Sequence, residues 1–222
     1  MKTKIIIIGG KGTAINIAEA IIDADIRFNA PVEFIGFAFD DETIGDTISG
    51  YPVLCKTNEV YLKFGHLDDV AFIFQMHHQL KMEERAELIA SYHIPDNKWY
   101  TFIHPSAFVS RSAKLGFGTV VYVNCAIHSN AIIGNHCTFC ALTTIGHDSV
   151  IGNNVFTATH VCIGSSVQIN DYNFLGQNST ITSARKIEAN NLIGLGAVII
   201  KDIEESHGIY IGSPARFLKK LK

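Results

Sequence analysis

The stretch from Ile127 to Gly152 reads IHSNAI IGNHCT FCALTT IGHDSV IG when it is written in groups of six residues. A bulky apolar residue opens every group, and the same spacing runs from Ile103 to Val198 without an insertion or a deletion. Of the sixteen first positions, fifteen are apolar, and Thr157 is the exception. Helices repeat at three and four residues and lone strands at two, so neither has this period. A fixed six-residue repeat instead predicts a parallel β-solenoid, whose coils bury apolar surface by stacking.

Each hexad predicts one flat face of a triangular prism, so that three hexads complete one coil. The first position fills the interior, and the fifth position, which is mostly small or β-branched, fits the tighter space near a corner. Gly follows the first position in seven hexads, where the turn needs either positive φ or a close backbone approach. Asn173, Arg185 and Asn191 take fifth positions near the end of the repeat. Because a buried Arg needs a partner, we expect that edge to bulge or to face a partner or ligand.

A different pattern occupies the first hundred residues. The apolar run Lys4 to Ile8 predicts a buried parallel strand, and a helical pattern follows it. Further strands are expected at 32–38 and 70–74, with a second helix between Leu80 and Tyr92. This order predicts a small Rossmann-like α/β domain over residues 1–100, followed by the β-solenoid domain over residues 101–222.

The loop after the first strand reads Gly9-Gly10-Lys11-Gly12-Thr13. Backbone N–H groups at a helix N-terminus can bind a diphosphate, although the spacing is not the full GxGxxG. Asp40 and Asp41 follow the second strand, where an acid could bond a ribose or a base. The alternative is a simple tight turn with a solvated acidic loop.

Composition excludes several functions. The chain has 222 residues, a net charge of −3 and 47% hydrophobic residues, and no block of like charge suggests nucleic-acid binding. No apolar run reaches the roughly 20 residues of a membrane span, and no signal-peptide pattern opens the chain. We therefore expect a cytoplasmic protein. Cys137 and Cys140 form a CxxC, but no second pair completes a zinc site, so no metal is expected.

His147 is followed directly by Asp148 at a predicted corner, outside the packed interior. An imidazole with a nearby carboxylate is the minimal general base, because its pKa lies nearest neutrality and an anion raises its basicity. The alternative is a solvated corner histidine. The other repeat histidines, among them His104, His136 and His160, are expected at turns or on outer faces.

The glycine-loop α/β unit, the hexad repeat, the internal His147-Asp148 and the closing GSPAR at 212–216 together resemble one family. The chain looks like the bacterial nucleotide-sugar acetyltransferases, which include bacillosamine and perosamine N-acetyltransferases and sialic acid O-acetyltransferases. The segment FIHPSA at 102–107 strengthens the resemblance, which covers nearly the whole chain. It implies a left-handed parallel β-helix and a homotrimer with active sites between adjacent solenoids.

The resemblance also implies roles for individual residues. His147 matches the catalytic base and Asp148 the acid that tunes it, in a direct transfer from acetyl-CoA within a ternary complex. The nucleotide sugar is expected at Gly10, Lys11, Gly12, Thr13, Asp40 and Asp41. Acetyl-CoA is expected along Gly176, Gln177, Gly194, Leu195 and Gly196, with its acetyl end near Phe156.

Three places depart from the family pattern. Thr13 stands where the glycine loop usually has His, and Phe156, nine residues beyond His147, stands where many members have a second His. The segment QMHH at 75–78 replaces a glycine-containing turn expected after the third strand. These changes indicate a different sugar, a different acyl group or a lost activity.

The favoured function is therefore N-acetylation of a nucleotide-linked 4-amino-4,6-dideoxy sugar. O-acylation of sialic acid or of another sugar acceptor, and a non-catalytic scaffold, are the alternatives.

Overall fold

The computed structural model describes residues 2–41, 43 and 45–221, and its first part is a five-stranded sheet in the order β3-β4-β2-β1-β5. All neighbouring strands are parallel except β3, which forms a hairpin with β4. Ile5 to Ile8 are fully buried in the central strand, as the apolar run predicts. The strands are β1 Thr3–Ile8, β2 Val32–Ala38, β3 Thr47–Ile48, β4 Tyr51–Cys55 and β5 Val70–Phe74.

Helices cover both faces of this sheet, because successive side chains of β1 point to opposite sides. Ile5 and Ile7 pack against the apolar side of α1, which runs from Thr13 to Phe28. Ile6 and Ile8 pack in the opposite layer with residues from α2, Val60–Phe64, and α3, Met82–Ser91. Short 3₁₀ turns lie at Thr57–Glu59 and Asp96–Lys98. The predicted Rossmann-like domain is confirmed.

The second part is a left-handed parallel β-helix with three sheets of two-residue strands, stacked at intervals of eighteen residues. The first face holds β6 Phe102–Ile103, β9 Val120–Val121, β12 Thr138–Phe139, β15 Phe156–Thr157, β18 Phe174–Leu175 and β21 Leu192–Ile193. The second face holds β7 Phe108–Val109, β10 Ala126–Ile127, β13 Thr144–Ile145, β16 Cys162–Ile163, β19 Thr180–Ile181 and β22 Val198–Ile199. The third face holds β8 Lys114–Leu115, β11 Ile132–Ile133, β14 Val150–Ile151, β17 Gln168–Ile169 and β20 Lys186–Ile187.

Every strand ends on the first residue of a hexad, and from Val121 onward these side chains form the buried core. The polar exception, Thr157, is also fully buried, and its hydroxyl lies 2.9 Å from that of Thr143. A buried hydroxyl is tolerated when it is hydrogen-bonded, so this pair keeps the interior intact at the one polar first position.

The glycines at the second position of the hexads are required by the close approach of adjacent coils and not by positive φ. A Cβ added at Gly146 would come within 2.5 Å of the Gly164 carbonyl carbon in the next coil. Positive φ falls two residues later, for example at Asp148, with φ 60°, and Asn130, also with φ 60°. Asn and Asp tolerate this left-handed conformation better than most residues, which explains their frequency there.

The bulge expected at the end of the repeat is wrong, because the strands keep their register there and the two buried amides at fifth positions are hydrogen-bonded inside the coil. Asn173 and Asn191 are buried, and the Asn191 backbone N–H donates to Asn173 Oδ1 at 3.0 Å. Asn191 Oδ1 then accepts the N–H of Gly208 at 2.7 Å. Arg185 lies at the surface, 3.3 Å from the Asp202 carboxylate. The first face continues past these residues through β23 Gly208–Ile211 and β24 Arg216–Lys220.

Candidate functional site

The main cleft lies between the α/β domain and the first face of the solenoid, and its volume is about 770 Å³. The glycine loop and the start of α1 form one wall, and the outer surface of the first face forms another. The segment after β5 and a side chain of α3 complete it. Both domains therefore contribute to one site.

The glycine-loop wall contains four of the predicted substrate residues, namely Gly10, Lys11, Gly12 and Thr13. Gly12 caps α1 with φ 56°, and no side chain caps this end of the helix, where the N–H groups of Ala14 and Ile15 donate to the carbonyls of Lys11 and Gly12 at 3.2 Å and 3.1 Å. Since N–H groups at a helix N-terminus attract anions, this end of α1 is suited to a phosphate. The Lys11 ammonium is 2.7 Å from the Asp41 carboxylate, and this contact with the hydrogen bonds from Thr43 lowers the pKa of Asp41 to about 2.

Asp40 does not line the cleft. Its two carboxylate oxygens accept the backbone N–H of Thr57 at 2.8 Å and the Thr57 hydroxyl at 2.7 Å. These bonds tie the end of β2 to the turn after β4. The structure thus gives Asp40 a role in holding the loop, and of the acidic pair only Asp41 touches a cleft residue.

An aromatic floor forms the solenoid wall. Phe156 and Phe174, eighteen residues apart on the first face, stack with ring centroids 4.9 Å apart and planes within 7°. The His77 ring leans on Phe156 at 5.2 Å, and His77 Nε2 lies 3.1 Å from the Thr138 hydroxyl. Burial lowers the pKa of His77 to about 3, so its ring is neutral at physiological pH. Phe156 therefore belongs to the wall shared by the two domains.

Gln75 and Arg85 are among the cleft residues that were not predicted from the sequence. Gln75 follows β5, and its amide nitrogen donates to the Thr138 hydroxyl at 3.0 Å. Arg85 comes from the first turn of α3. The QMHH segment marked this wall as unusual, but nothing in the sequence shows that one arginine of a polar helix turns inward.

His147 and Asp148 lie on the corner between the second and third faces, as the hexad register predicts. His147 Nδ1 is 2.6 Å from Asp148 Oδ2, and Asn130 Nδ2 donates to the other carboxylate oxygen at 2.9 Å. The hydrogen bond with His147 is the largest cause that lowers the pKa of Asp148. A carboxylate held on Nδ1 leaves Nε2 unbonded, and the His147 side chain is 57% exposed. The pair has the arrangement of an oriented general base.

The predicted cofactor residues lie together on another corner, between the first and second faces. Gly176-Gln177 and Gly194-Leu195-Gly196 occupy successive coils, and the Gly196 N–H donates to the Gln177 carbonyl at 2.8 Å. A Cβ on Gly176 would come within 2.7 Å of the Leu195 nitrogen, so the coils touch closely here. Leu195 is 81% exposed. The result is a narrow backbone surface beside one end of the cleft, which Gln177 also lines.

Within the described residues, no group of three or more His, Cys, Asp or Glu side chains is arranged to hold a metal ion. No helix in that part of the chain has the length and apolarity needed to cross a bilayer.

No protein-family model and no curated protein sequence matches the chain. Solved structures do. The acetyltransferase domain of PglB from Neisseria gonorrhoeae is 21% identical with a TM-score of 0.84, and covers 98% of this chain and 100% of its own. PerB from Caulobacter crescentus, solved with CoA and GDP-perosamine, is 21% identical with a TM-score of 0.80, and the match covers 97% of each chain. WeeI from Acinetobacter baumannii is 22% identical with a TM-score of 0.77, over 97% of this chain and 100% of its own. Along nearly its whole length, this chain has the fold of these proteins, an α/β domain joined to a left-handed β-helix.

Proposed function

We propose that the protein is an acetyl-CoA-dependent N-acetyltransferase acting on a nucleotide-linked amino sugar of the 4-amino-4,6-dideoxy class. The observation that carries the proposal is the His147–Asp148 pair, a base oriented by a carboxylate on an exposed corner. Its setting supports the same function, because PerB, of the same fold, was solved with CoA and GDP-perosamine. The glycine loop, at the start of α1, supplies a place for the diphosphate.

In the proposed reaction, His147 Nε2 removes a proton from the sugar amine as the amine nitrogen attacks the thioester carbonyl. The C–N bond forms, the C–S bond breaks, and the CoA thiolate leaves and takes the proton from the His147 imidazolium, so that CoA is released as the thiol and the base is regenerated. Asp148 stabilises the imidazolium through Nδ1–H, and Asn130 holds that carboxylate in place. A backbone N–H stabilises the oxyanion, which is a common device in acyl transfer.

The site requires two copies of the chain. In a triangular prism, the corner between the second and third faces lies opposite the first face, so His147 and the cleft of one chain are on opposite sides of the solenoid. A neighbouring copy would bring its His147 corner to this cleft, which supports the expected homotrimer. Apolar side chains next to that corner favour such packing, since Ile132 is 48% and Val150 43% exposed in the single chain.

A cytoplasmic location agrees with acetyl-CoA as the donor and with the five cysteines, all of which are free thiols.

Thiol release from acetyl-CoA, measured with a panel of UDP-, dTDP- and GDP-linked amino sugars and with free sialic acid, tests the proposal. His147→Ala should lower kcat by about 100-fold or more, and Asp148→Asn, which keeps a residue suited to positive φ, by about tenfold. His66→Ala is the matched control, since His66 is an exposed histidine of the α/β domain that does not line the cleft. Wild-type turnover in His147→Ala would contradict the mechanism. Transfer only to sialic acid would favour the O-acyltransferase.

A further inference from the structure

Two polar atoms in the cleft residues are buried and have no hydrogen-bond partner. One is Arg85 Nε, a donor, and the other is Gln75 Oε1, an acceptor. Both residues line the cleft. A buried polar atom without a partner is destabilising, and more so when the group is charged. Because both residues line the cleft, a ligand bound there can complete the bonding of these two atoms.

The charge of Arg85 indicates which kind of ligand group would bind there. Arg27 pairs with Asp23 and Arg185 with Asp202, but within the described residues Arg85 has no ion pair. Lys11, the other cation of the cleft, is neutralised by Asp41 at 2.7 Å. His77, whose pKa the Arg85 charge helps to lower, stays neutral. Arg85 is thus the cation that this cleft leaves without an anion, and guanidinium is the group best suited to bidentate bonding of carboxylate or phosphate.

We propose that Arg85 is a specificity-determining residue that binds an anionic oxygen group of the acceptor, while Oε1 of Gln75, which lines the same cleft, accepts a hydrogen bond from the same molecule. The inference deepens the proposed function, on which it rests for the identity of the acceptor as a nucleotide sugar. The anion is either the diphosphate or a carboxylate carried by the sugar. The floor fits the rest of such a ligand, since the stacked Phe156 and Phe174 offer an apolar surface of the kind on which the C–H face of a sugar packs.

Calorimetric titration of the wild type and of Arg85→Gln with UDP, UDP-glucose, UDP-glucuronate and GDP tests the proposal. If Arg85 binds the diphosphate, Arg85→Gln weakens every nucleotide by about 10- to 100-fold, the range for a charge-assisted hydrogen bond. If it binds a sugar carboxylate, the wild type prefers UDP-glucuronate over UDP-glucose by a similar factor, and only that preference disappears in the variant. Arg111→Gln, in an exposed turn of the first coil, is the matched control and should change neither.

Thermal unfolding supplies a second measurement that needs no nucleotide. Because its guanidinium lacks a partner, Arg85→Met should leave the ligand-free Tm equal to or above that of the wild type, whereas an arginine that merely supports the fold would lower it. If Arg85 binds the diphosphate, inorganic pyrophosphate, compared with chloride at equal ionic strength, should raise the Tm of the wild type and of Arg111→Gln but not of Arg85→Met.

The outcomes separate this inference from the proposed function. Unchanged nucleotide affinities in Arg85→Gln overturn the inference and leave the acetyltransferase proposal intact. If the wild type binds no nucleotide, the proposed function fails, and the pyrophosphate response of Arg85→Met decides the inference alone: an equal Tm rise in both proteins then overturns it. Where the wild type does bind nucleotides, an equal rise excludes the diphosphate as the anion, and the inference then fails if the wild type shows no preference for UDP-glucuronate over UDP-glucose.

Discussion

His136 shows how one residue joins the two parts of the chain. It lies at a turn, as the hexad register predicts, with φ 53°, yet it is only 9% exposed. Its ring packs edge-to-face against Trp99 at 4.8 Å and Phe117 at 5.2 Å. The repeat predicts its place in the coil but not its burial, because burial depends on a neighbour that another stretch of chain supplies.

Burial lowers the pKa of His136 to about 4, from an ordinary value of 6.5. Between those pH values the unfolded chain binds a proton that the folded protein does not. The free energy of unfolding is therefore at its full value above pH 6.5 and falls as the pH drops toward 4. The loss is on the order of 3 kcal/mol for this residue. His136→Asn, which suits the positive φ, should flatten the dependence of the unfolding free energy on pH by about that amount.

Urea unfolding at pH 7 and pH 4 measures the effect. The substitution also removes ring packing, so we expect a lower stability at pH 7. His160→Asn is the control, because His160 has the same turn position, φ 64°, and an exposed side chain. An equal pH dependence in wild type and His136→Asn would refute this account.

At the scale of elements, the sequence predicts every coil but not which face is covered. The covering is nevertheless encoded in the residues just before each first position. On the first face these residues are apolar except for one threonine, and five of the six are less than 10% exposed: Phe102, Val120, Thr138, Phe156, Phe174 and Leu192. On the third face two of the five are lysines and one is a glutamine: Lys114, Ile132, Val150, Gln168 and Lys186. An apolar repeat at eighteen residues thus marks the face that packs against the other domain.

The polar fifth positions were misread because the expectation came from Arg185 and did not consider the hydrogen bonds that the coil offers to a buried amide. Asn173 Nδ2 donates to the carbonyls of Asn170 at 2.7 Å and Glu188 at 3.0 Å, and its Oδ1 accepts the Asn191 N–H. Asn173→Val leaves the two carbonyls and the Asn191 N–H without hydrogen-bond partners inside the solenoid. We therefore expect a loss of about 2–4 kcal/mol in unfolding free energy.

Chemical denaturation of Asn173→Val measures this loss. Val155→Ala is the comparison, because Val155 fills the same fifth position one coil earlier and is fully buried. Its truncation removes only methyl groups and should cost about 1–2 kcal/mol. A neutral or stabilising Asn173→Val would show that the amide bonds add nothing to stability.

At the scale of the whole molecule, His147, the proposed base, and the cleft lie on different sides of the solenoid. Sequence reasoning predicts the His147 corner directly, since register alone places it. The cleft could not be located that way, because its walls come from residues as distant as Lys11, Gln75, Arg85 and Phe174. Only the packing of the α/β domain on the first face brings them together.

A shared site predicts complementation between two inactive proteins. His147→Ala lacks the base, and Thr159→Trp fills the cleft from an exposed position on its wall. Refolded together in equal amounts, they should recover activity at about a quarter of the sites, since each site needs an intact corner from one chain and an intact cleft from another. Light scattering on the wild type should give three copies. A monomer, or a mixture as inactive as its parts, would rule out the shared site.

The uninterrupted hexads also limit how the length of this chain can change. A deletion of eighteen residues removes one whole coil and leaves every later side chain on its original face. A deletion of six turns everything downstream by about a third of a revolution. Removing 139–144, for example, would place His147 on the corner where Cys140 and Leu142 now lie. Viable relatives should therefore differ within the solenoid by whole coils, or by loops that leave the solenoid at a corner and return to it in the same hexad register.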